Sequence, residues 1–236
     1  MRYLHLATPW VQGAMRIRQP QFIELDYIQR MLASLLWRPA AELGQGHAVQ
    51  LGLGAGSITR FTLNSLRMQT TAVEINPYVE AAGRAFFRLP EQHERLQVEI
   101  ADAGVWIAKT PLIGSVQLLH VDLYDHDAAA PVLDDDAFYA ACHALLAPGG
   151  VMAVNLFGRA SSFQRSANRI AAAFGADQVW RLTATREGNT IVVAARDVRV
   201  PGRDELAARA ANIEARFGRL GLPAQKWLRM VRPYQA

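Results

Sequence analysis

HAVQLGLGAGSITRFTLNSLRMQTTAVE, residues His47 to Glu74, decides the fold. An apolar run from Ala48 to Leu53 breaks into glycines at alternate positions, Gly52, Gly54 and Gly56, and passes into a helical pattern. It then returns through a second apolar run that ends on the carboxylate of Glu74. That order is strand, glycine loop, helix, strand, acid. Backbone without Cβ atoms can turn tightly and lie against a ligand, and the helix behind it aims its N–H groups at the same place. An acid about twenty residues past the glycines, at the carboxyl end of the next strand, is placed to accept from both hydroxyls of a ribose. The stretch reads as an adenosine-type cofactor site. A dinucleotide site would want G-x-G-x-x-G. Here the sixth position is Ser57, and the resulting G-x-G-x-G favours S-adenosylmethionine or a relative of it.

Working outward, the next segments repeat the alternation. Asn76-Pro77 is an N-cap followed by proline at the first helical position, opening a helix to about Phe87. Arg95 to Ala101 predicts a third strand ending at Asp102, and Ala103 to Lys109 a short helix. Val116 to Val121 predicts a fourth strand, apolar enough to be covered on both faces, that delivers Asp122-Leu123-Tyr124-Asp125. A helix over Asp134 to Leu146 is stopped by Pro148-Gly149-Gly150, and a fifth strand over Val151 to Leu156 leads to a helix over Ser162 to Phe174. Gln178 to Ala184 and Asn189 to Ala195 predict an antiparallel pair, and Asp204 to Phe217 an amphipathic helix. On the amino-terminal side, Asp26 to Trp37 carries apolar residues at helical spacing. Val11 to Ile17 and Phe22 to Leu25 read as a small strand pair ahead of the main sheet.

The expected fold is α/β: an open, mostly parallel, doubly wound sheet with a small β-hairpin region over 1–25 and a terminal antiparallel strand pair. Residues 26–236 form the main domain. Ligands of such sheets bind outside the carboxyl ends of the strands, where strand order reverses. Gly52 to Gly56, Glu74, Asp102 and Asp122 all fall at those ends.

Composition narrows the class. The chain has 236 residues, 51% hydrophobic and 19% charged, which describes one globular core. Its net charge of +4 comes from arginines scattered along the sequence, which argues against a nucleic-acid track. No apolar run is long enough to span a bilayer, no secretory signal is visible, and the one cysteine, Cys142, fits a reducing compartment. The expectation is a cytoplasmic protein with no membrane partner. The histidines show no metal-ligand spacing, so no metal is expected, and His120, inside an apolar strand, reads as a core residue.

With these pieces in place, the chain resembles the spermidine synthase (polyamine aminopropyltransferase) family, a branch of the class I S-adenosylmethionine-dependent methyltransferase fold. The matching segments are LGLGAGS, TAVEINPYV, the IADA around Asp102, HVDLYD, FYAACHALLAPGGVMAVNL and, more loosely, IELDYIQRML, together spanning about Glu24 to Leu156. The resemblance implies that Gly52, Gly54, Gly56 and Glu74 hold the methionine-like part and ribose of the cofactor. It implies that Asp102, with Ala103 beside it, accepts from the adenine amino group. Asp122 would deprotonate the attacking amine and Asp125 would hold it, with Tyr27 and Tyr124 as walls or hydroxyl partners. The family commonly pairs subunits, so a homodimer is one option.

The chain departs from the family at Ala55, where an aspartate usually stands among the glycines, at Gln29 for glutamate, and at Asn76 for aspartate. Three functions stay open: aminopropyl transfer from decarboxylated S-adenosylmethionine to a small diamine or polyamine, methyl transfer from S-adenosylmethionine, and non-catalytic nucleoside binding. An aspartate after a parallel strand is also often a helix cap, which is the plain alternative for Asp122 and Asp125.

Overall fold

The computed structural model describes residues 1–5, 11–123, 133–157 and 160–234. β1 (Arg2–Leu4) pairs antiparallel with β2 (Gly13–Met15). α1 (Asp26–Met31) tightens into a 3-10 turn over Leu32–Trp37 and leads to β3 (His47–Leu51). After the glycines, α2 (Ser57–Arg60) lasts one turn before widening into a π-helical turn over Phe61–Ser65. β4 (Gln69–Glu74), α3 (Pro77–Phe87), β5 (Leu96–Ile100), α4 (Ala103–Lys109) and β6 (Val116–Val121) continue the alternation. The second half comprises α5 (Asp136–Leu145), β7 (Leu146–Phe157), α6 (Ala160–Phe174), β8 (Val179–Leu182) and β9 (Asn189–Ala195). It closes with α7 (Arg203–Phe217), α8 (Ala224–Met230) and β10 (Val231–Pro233).

Eight strands form one sheet in the order β10-β8-β9-β7-β6-β3-β4-β5. The five from β5 to β7 run parallel, and β9, β8 and β10 are antiparallel to their neighbours. From β3 the chain moves outward through β4 to β5, then crosses back to lay β6 on the other side of β3. Strand order therefore reverses between β3 and β6, and a crevice opens at their carboxyl ends.

The two faces of the sheet explain the strand sequences. Side chains alternate across a strand, and Leu118, Val151 and Ala153 pack with α1, α7 and α8, while Leu119, Met152 and Val154 pack with α4, α5 and α6. A strand buried on both sides has no polar face, which is why β6 reads as a nearly continuous apolar run. α3 begins as its sequence demands: the Asn76 side chain accepts from the Tyr78 N–H at 2.9 Å, with Pro77 at the first helical position. Asp135 likewise caps α5 by accepting from the Phe138 N–H at 2.7 Å. No helix among the described residues is long and apolar enough to cross a membrane.

Two parts differ from expectation. The partner of the Val11–Ile17 piece is Arg2–Leu4, and Phe22–Leu25 forms no strand. Ile23 instead donates its N–H to the Leu220 carbonyl at 2.8 Å and is buried against the helices of the C-terminal part. The terminal antiparallel group also has a third member, since α8 buries Trp227 and passes into β10, which pairs with β8 at the sheet edge.

Candidate active site

The glycine bend begins where β3 meets β6. A Cβ on Gly52 would lie 2.1 Å from the Asp122 carbonyl oxygen, and Gly52 has φ +86°, so only glycine lets the two strand ends touch. Both ladders continue one residue past the strands: Gly52 N–H donates to the Val73 carbonyl at 2.8 Å and Asp122 N–H to the Leu51 carbonyl at 2.9 Å. Buried side chains then hold the bend from below. Gln50 donates to the carbonyls of Gly52 (2.6 Å) and Leu53 (3.3 Å), and its own carbonyl oxygen accepts from the Thr59 hydroxyl at 2.5 Å. Arg60 donates to the Ala55 carbonyl at 2.6 Å, its pKa pushed down to about 10 by burial. Reading the sequence missed Gln50 and Arg60. The signal for Gln50 was a long amide inside an otherwise apolar strand, where a buried polar group must find partners.

Glu74 ends β4 with its carboxylate turned across that bend. One oxygen accepts from the Leu53 N–H at 2.9 Å and the other from the Asn76 N–H at 3.0 Å. Each oxygen keeps a lone pair for a further donor. Asp102 follows β5, and one of its oxygens accepts from the Val105 N–H at 2.9 Å, capping α4. Glu74, Asp102, Ala103, Asp122, Gly52 and Gly54 all line one cleft of about 760 Å³, part of it open to solvent, with Ile75 at its lip. Gly56 is not on that wall. It takes φ +68° at the start of α2, beside the side chain of Leu89.

Asp122 lies where this cleft meets a second, narrower recess lined by Tyr27, Leu25, Ile28, Gln50 and Ser57. Gln12, Gly54 and Asp122 belong to both walls. Burial raises the Asp122 pKa above the ordinary carboxylate value, and hydrogen bonds from the Asn155 amide, at 2.9 Å, and from Tyr27 pull it part of the way back. Asn155, unnoticed in the sequence, is a polar residue in the buried strand β7. Tyr124 and Asp125 lie outside the described residues. Ala55 is buried with Leu4, Met15 and Phe87, and Gly13 of β2 packs directly on it. Gln29 is engaged elsewhere, donating to the Ile23 carbonyl at 2.8 Å.

Two further buried titratable groups, His120 and Cys142, lie away from both walls. His120 is fully buried with its Nε2 3.4 Å from the Ser34 hydroxyl, and burial drops its pKa to about 4, so the ring is neutral. The Cys142 thiol is buried in α5, and its pKa is pushed up. Among the described residues, no cluster of three or more His, Cys, Asp or Glu side chains could hold a metal ion.

A mostly parallel sheet that reverses between β3 and β6, carries a glycine bend there and ends its edge side antiparallel has the class I methyltransferase fold. Solved structures agree on that class. Human Methyltransferase-like protein 13 in complex with SAH superposes with a TM-score of 0.69 at 21% identity, over 90% of this chain and 96% of that one. A probable spermidine synthase from Corynebacterium glutamicum gives 0.67 at 20% identity, over 89% and 78%. No family model matches the chain. Among curated proteins, the polyamine aminopropyltransferase of Chromobacterium violaceum is 32% identical over 220 residues, covering 92% of this chain and 82% of that protein. The one from Neisseria meningitidis serogroup B is 30% identical over 220 residues, covering 92% and 81%. The chain belongs to the polyamine aminopropyltransferase family.

Proposed function

We propose that this chain transfers an aminopropyl group from decarboxylated S-adenosylmethionine to a small diamine or polyamine. The observation that carries the reading is the position of Asp122, on the shared wall between the cleft that Glu74 and Asp102 line and the recess that holds Tyr27. The wide side suits the nucleoside. Glu74 has acceptor capacity left for two ribose hydroxyls, Asp102 keeps an oxygen for the adenine amino group, and Ile75 and Ala103 offer apolar surface to the ring. Gly52 and Gly54 leave room for the sulfonium end.

The transfer needs little covalent help. The amine nitrogen bonds to the aminopropyl carbon, the carbon–sulfur bond breaks with its electron pair going to sulfur, and methylthioadenosine leaves as a neutral thioether. What the protein must supply is a neutral amine, held in line. A primary aliphatic amine has a pKa of about 10.4 and is almost wholly protonated at neutral pH. Asp122, its pKa raised by burial above that of an exposed carboxylate, is the stronger base for that proton. Tyr27 orients it from α1. Asp125, three residues on, is assigned to hold the amine, with Tyr124 beside it.

Family membership supports a transferase, and the absence of an acid at Ala55 is the feature that keeps methyl transfer from intact S-adenosylmethionine as the competing reading. The single buried thiol is compatible with a cytoplasmic setting. Mass spectrometry separates the readings: incubation with each cofactor and a panel of amines should release methylthioadenosine and the aminopropylated amine. Release of S-adenosylhomocysteine from the intact cofactor, with no methylthioadenosine from the decarboxylated one, would replace this function with methyl transfer.

A further inference from the structure

Behind Asp122 runs a file of polar groups that neither the cleft nor the recess exposes. Asn155, 4% exposed in β7, donates its amide N–H to Asp122 Oδ1 at 2.9 Å and accepts at its own Oδ1 from the Asn189 amide at 3.1 Å. Asn189 opens β9 and pairs with Phe157, two residues along from Asn155, so the two amides face each other across the β7–β9 ladder. Asn189 is oriented in turn, because its Oδ1 accepts from the Thr185 hydroxyl at 3.4 Å. The turn between β8 and β9 closes around this pair: Thr185 N–H donates to the Asn189 carbonyl at 2.8 Å and Asn189 N–H to the Thr185 hydroxyl oxygen at 3.2 Å. Each amide has its oxygen taken from the far side, so Asn189 presents its N–H to Asn155 and Asn155 presents its own to Asp122.

We propose that the file Thr185–Asn189–Asn155 is the positioning device of the base, fixing one oxygen of the Asp122 carboxyl so that its remaining acceptor capacity faces the amine. This inference rests on the reading of Asp122 as the base. Asn155, Asn189 and Thr185 line neither the cleft nor the recess, so they act through Asp122 and are positioning residues. An amide suits the task because its NH₂ group can only donate, and donation favours the ionised carboxyl against burial. Among the described residues, the groups that face Asp122 are Asn155 from β7 and Tyr27 from α1, with Glu74 and Asp102 on the same cleft wall. His120, on the same strand, is turned to Ser34 and neutral. No lysine or arginine lies on either wall among the described residues.

The test pairs the pH profile of kcat/KM with titration of the Asp122 carboxyl by NMR in aspartate-labelled protein, its signal identified by its loss in Asp122→Asn. Asn155→Ala should raise both the NMR pKa and the acid limb of the profile by about one unit, roughly a tenfold loss of activity below the limb. Asn189→Ala should move both in the same direction by less. Affinity for methylthioadenosine should stay within about twofold of wild type in both, a change of under about half a kcal/mol. Unmoved NMR and kinetic pKa values, with activity falling only in step with thermal stability, would overturn the proposal. Should Asn155→Ala not fold, Asn189→Ala and Thr185→Val decide it by the same two readouts. If wild-type protein makes no aminopropylated product, the functional reading fails while the NMR titration still decides the file.

Discussion

Glu74 and Asp122 stand at the ends of β4 and β6, on either side of β3 and on the wall of one cleft, yet the chain surrounds them with different partners. Glu74 is held by backbone: its two oxygens accept from the N–H groups of Leu53 and Asn76, both supplied by the bends that immediately follow β3 and β4. Asp122 is held by side chains from afar, Asn155 in β7 and Tyr27 in α1, and burial raises its pKa. Backbone donors come with the fold and cannot be mutated away, and they leave Glu74 a fixed acceptor. Side-chain donors are chosen residue by residue, and at Asp122 they offset only part of the upward shift that burial causes. The first arrangement suits holding a ligand, the second suits moving a proton.

The contrast can be broken most forcefully at Asp122. Asp122→Asn keeps the shape and loses the base, so kcat should fall by about 10²–10⁴-fold in steady-state assays. Loss of less than about tenfold would make Asp122 another fixed acceptor like Glu74. Next in size is Gly52→Ala, which puts a Cβ 2.1 Å from the Asp122 carbonyl at a positive φ and should push the ends of β3 and β6 apart. A loss of about 3 kcal/mol in denaturant unfolding is expected, with both carboxylates displaced together. Glu74→Ala should weaken nucleoside binding by about 10–100-fold in calorimetry, the scale of losing hydrogen bonds to a charged acceptor, while bound cofactor still reacts. Equal loss in kcat would mean that Glu74 also shapes the chemistry.

The smallest effects are pH effects on stability, and their signs differ. His120 has a pKa of about 4 in the fold against about 6.5 in the unfolded chain, so the unfolded chain binds the extra proton first. Its contribution is complete above pH 6.5 and is lost as pH falls toward 4, roughly 2 kcal/mol between pH 7 and pH 5 in unfolding experiments. His120→Leu should flatten that slope. Asp122 has the opposite sign: its raised pKa means that the fold is most stable below the ordinary carboxylate pKa and loses stability as pH rises through the shifted value. Asp122→Asn should therefore melt higher than wild type at neutral pH, as expected where burial disfavours the charged carboxyl.

The same division explains what could be read from the sequence. Gly52, Gly54, Glu74, Asp102 and Asp122 were visible because their positions follow from local pattern: alternating runs give strands, and strand ends in a doubly wound sheet meet. α4 and β6 were legible to the residue, α4 from its Asp102 cap and β6 from a mostly apolar run that ends at Asp122. Asn155 and Asn189 were not, since a polar residue in a buried strand declares only that it has a partner, and the partner of Asn155 lies 33 residues away. Tyr27 was visible as an aromatic on an amphipathic helix, but its bond to Asp122 depends on how α1 packs over the sheet. The N-terminal hairpin was legible as a region but not its second strand, because two nearby pieces could each pair with Val11–Ile17. The choice rests on Gly13 fitting against Ala55 of the distant glycine bend, a contact that no local pattern carries. α8 and β10 are short, and β10 contains a proline, which hides a strand at a sheet edge.

In the proposed division of labour, one cleft holds a nucleoside with Glu74 and Asp102 and deprotonates an amine with Asp122, and the two tasks are separable. Calorimetric titration of Asp122→Asn with decarboxylated S-adenosylmethionine tests it most directly. An affinity within about twofold of wild type is expected, in a protein that no longer turns over. Loss of binding as large as that caused by Glu74→Ala would contradict it.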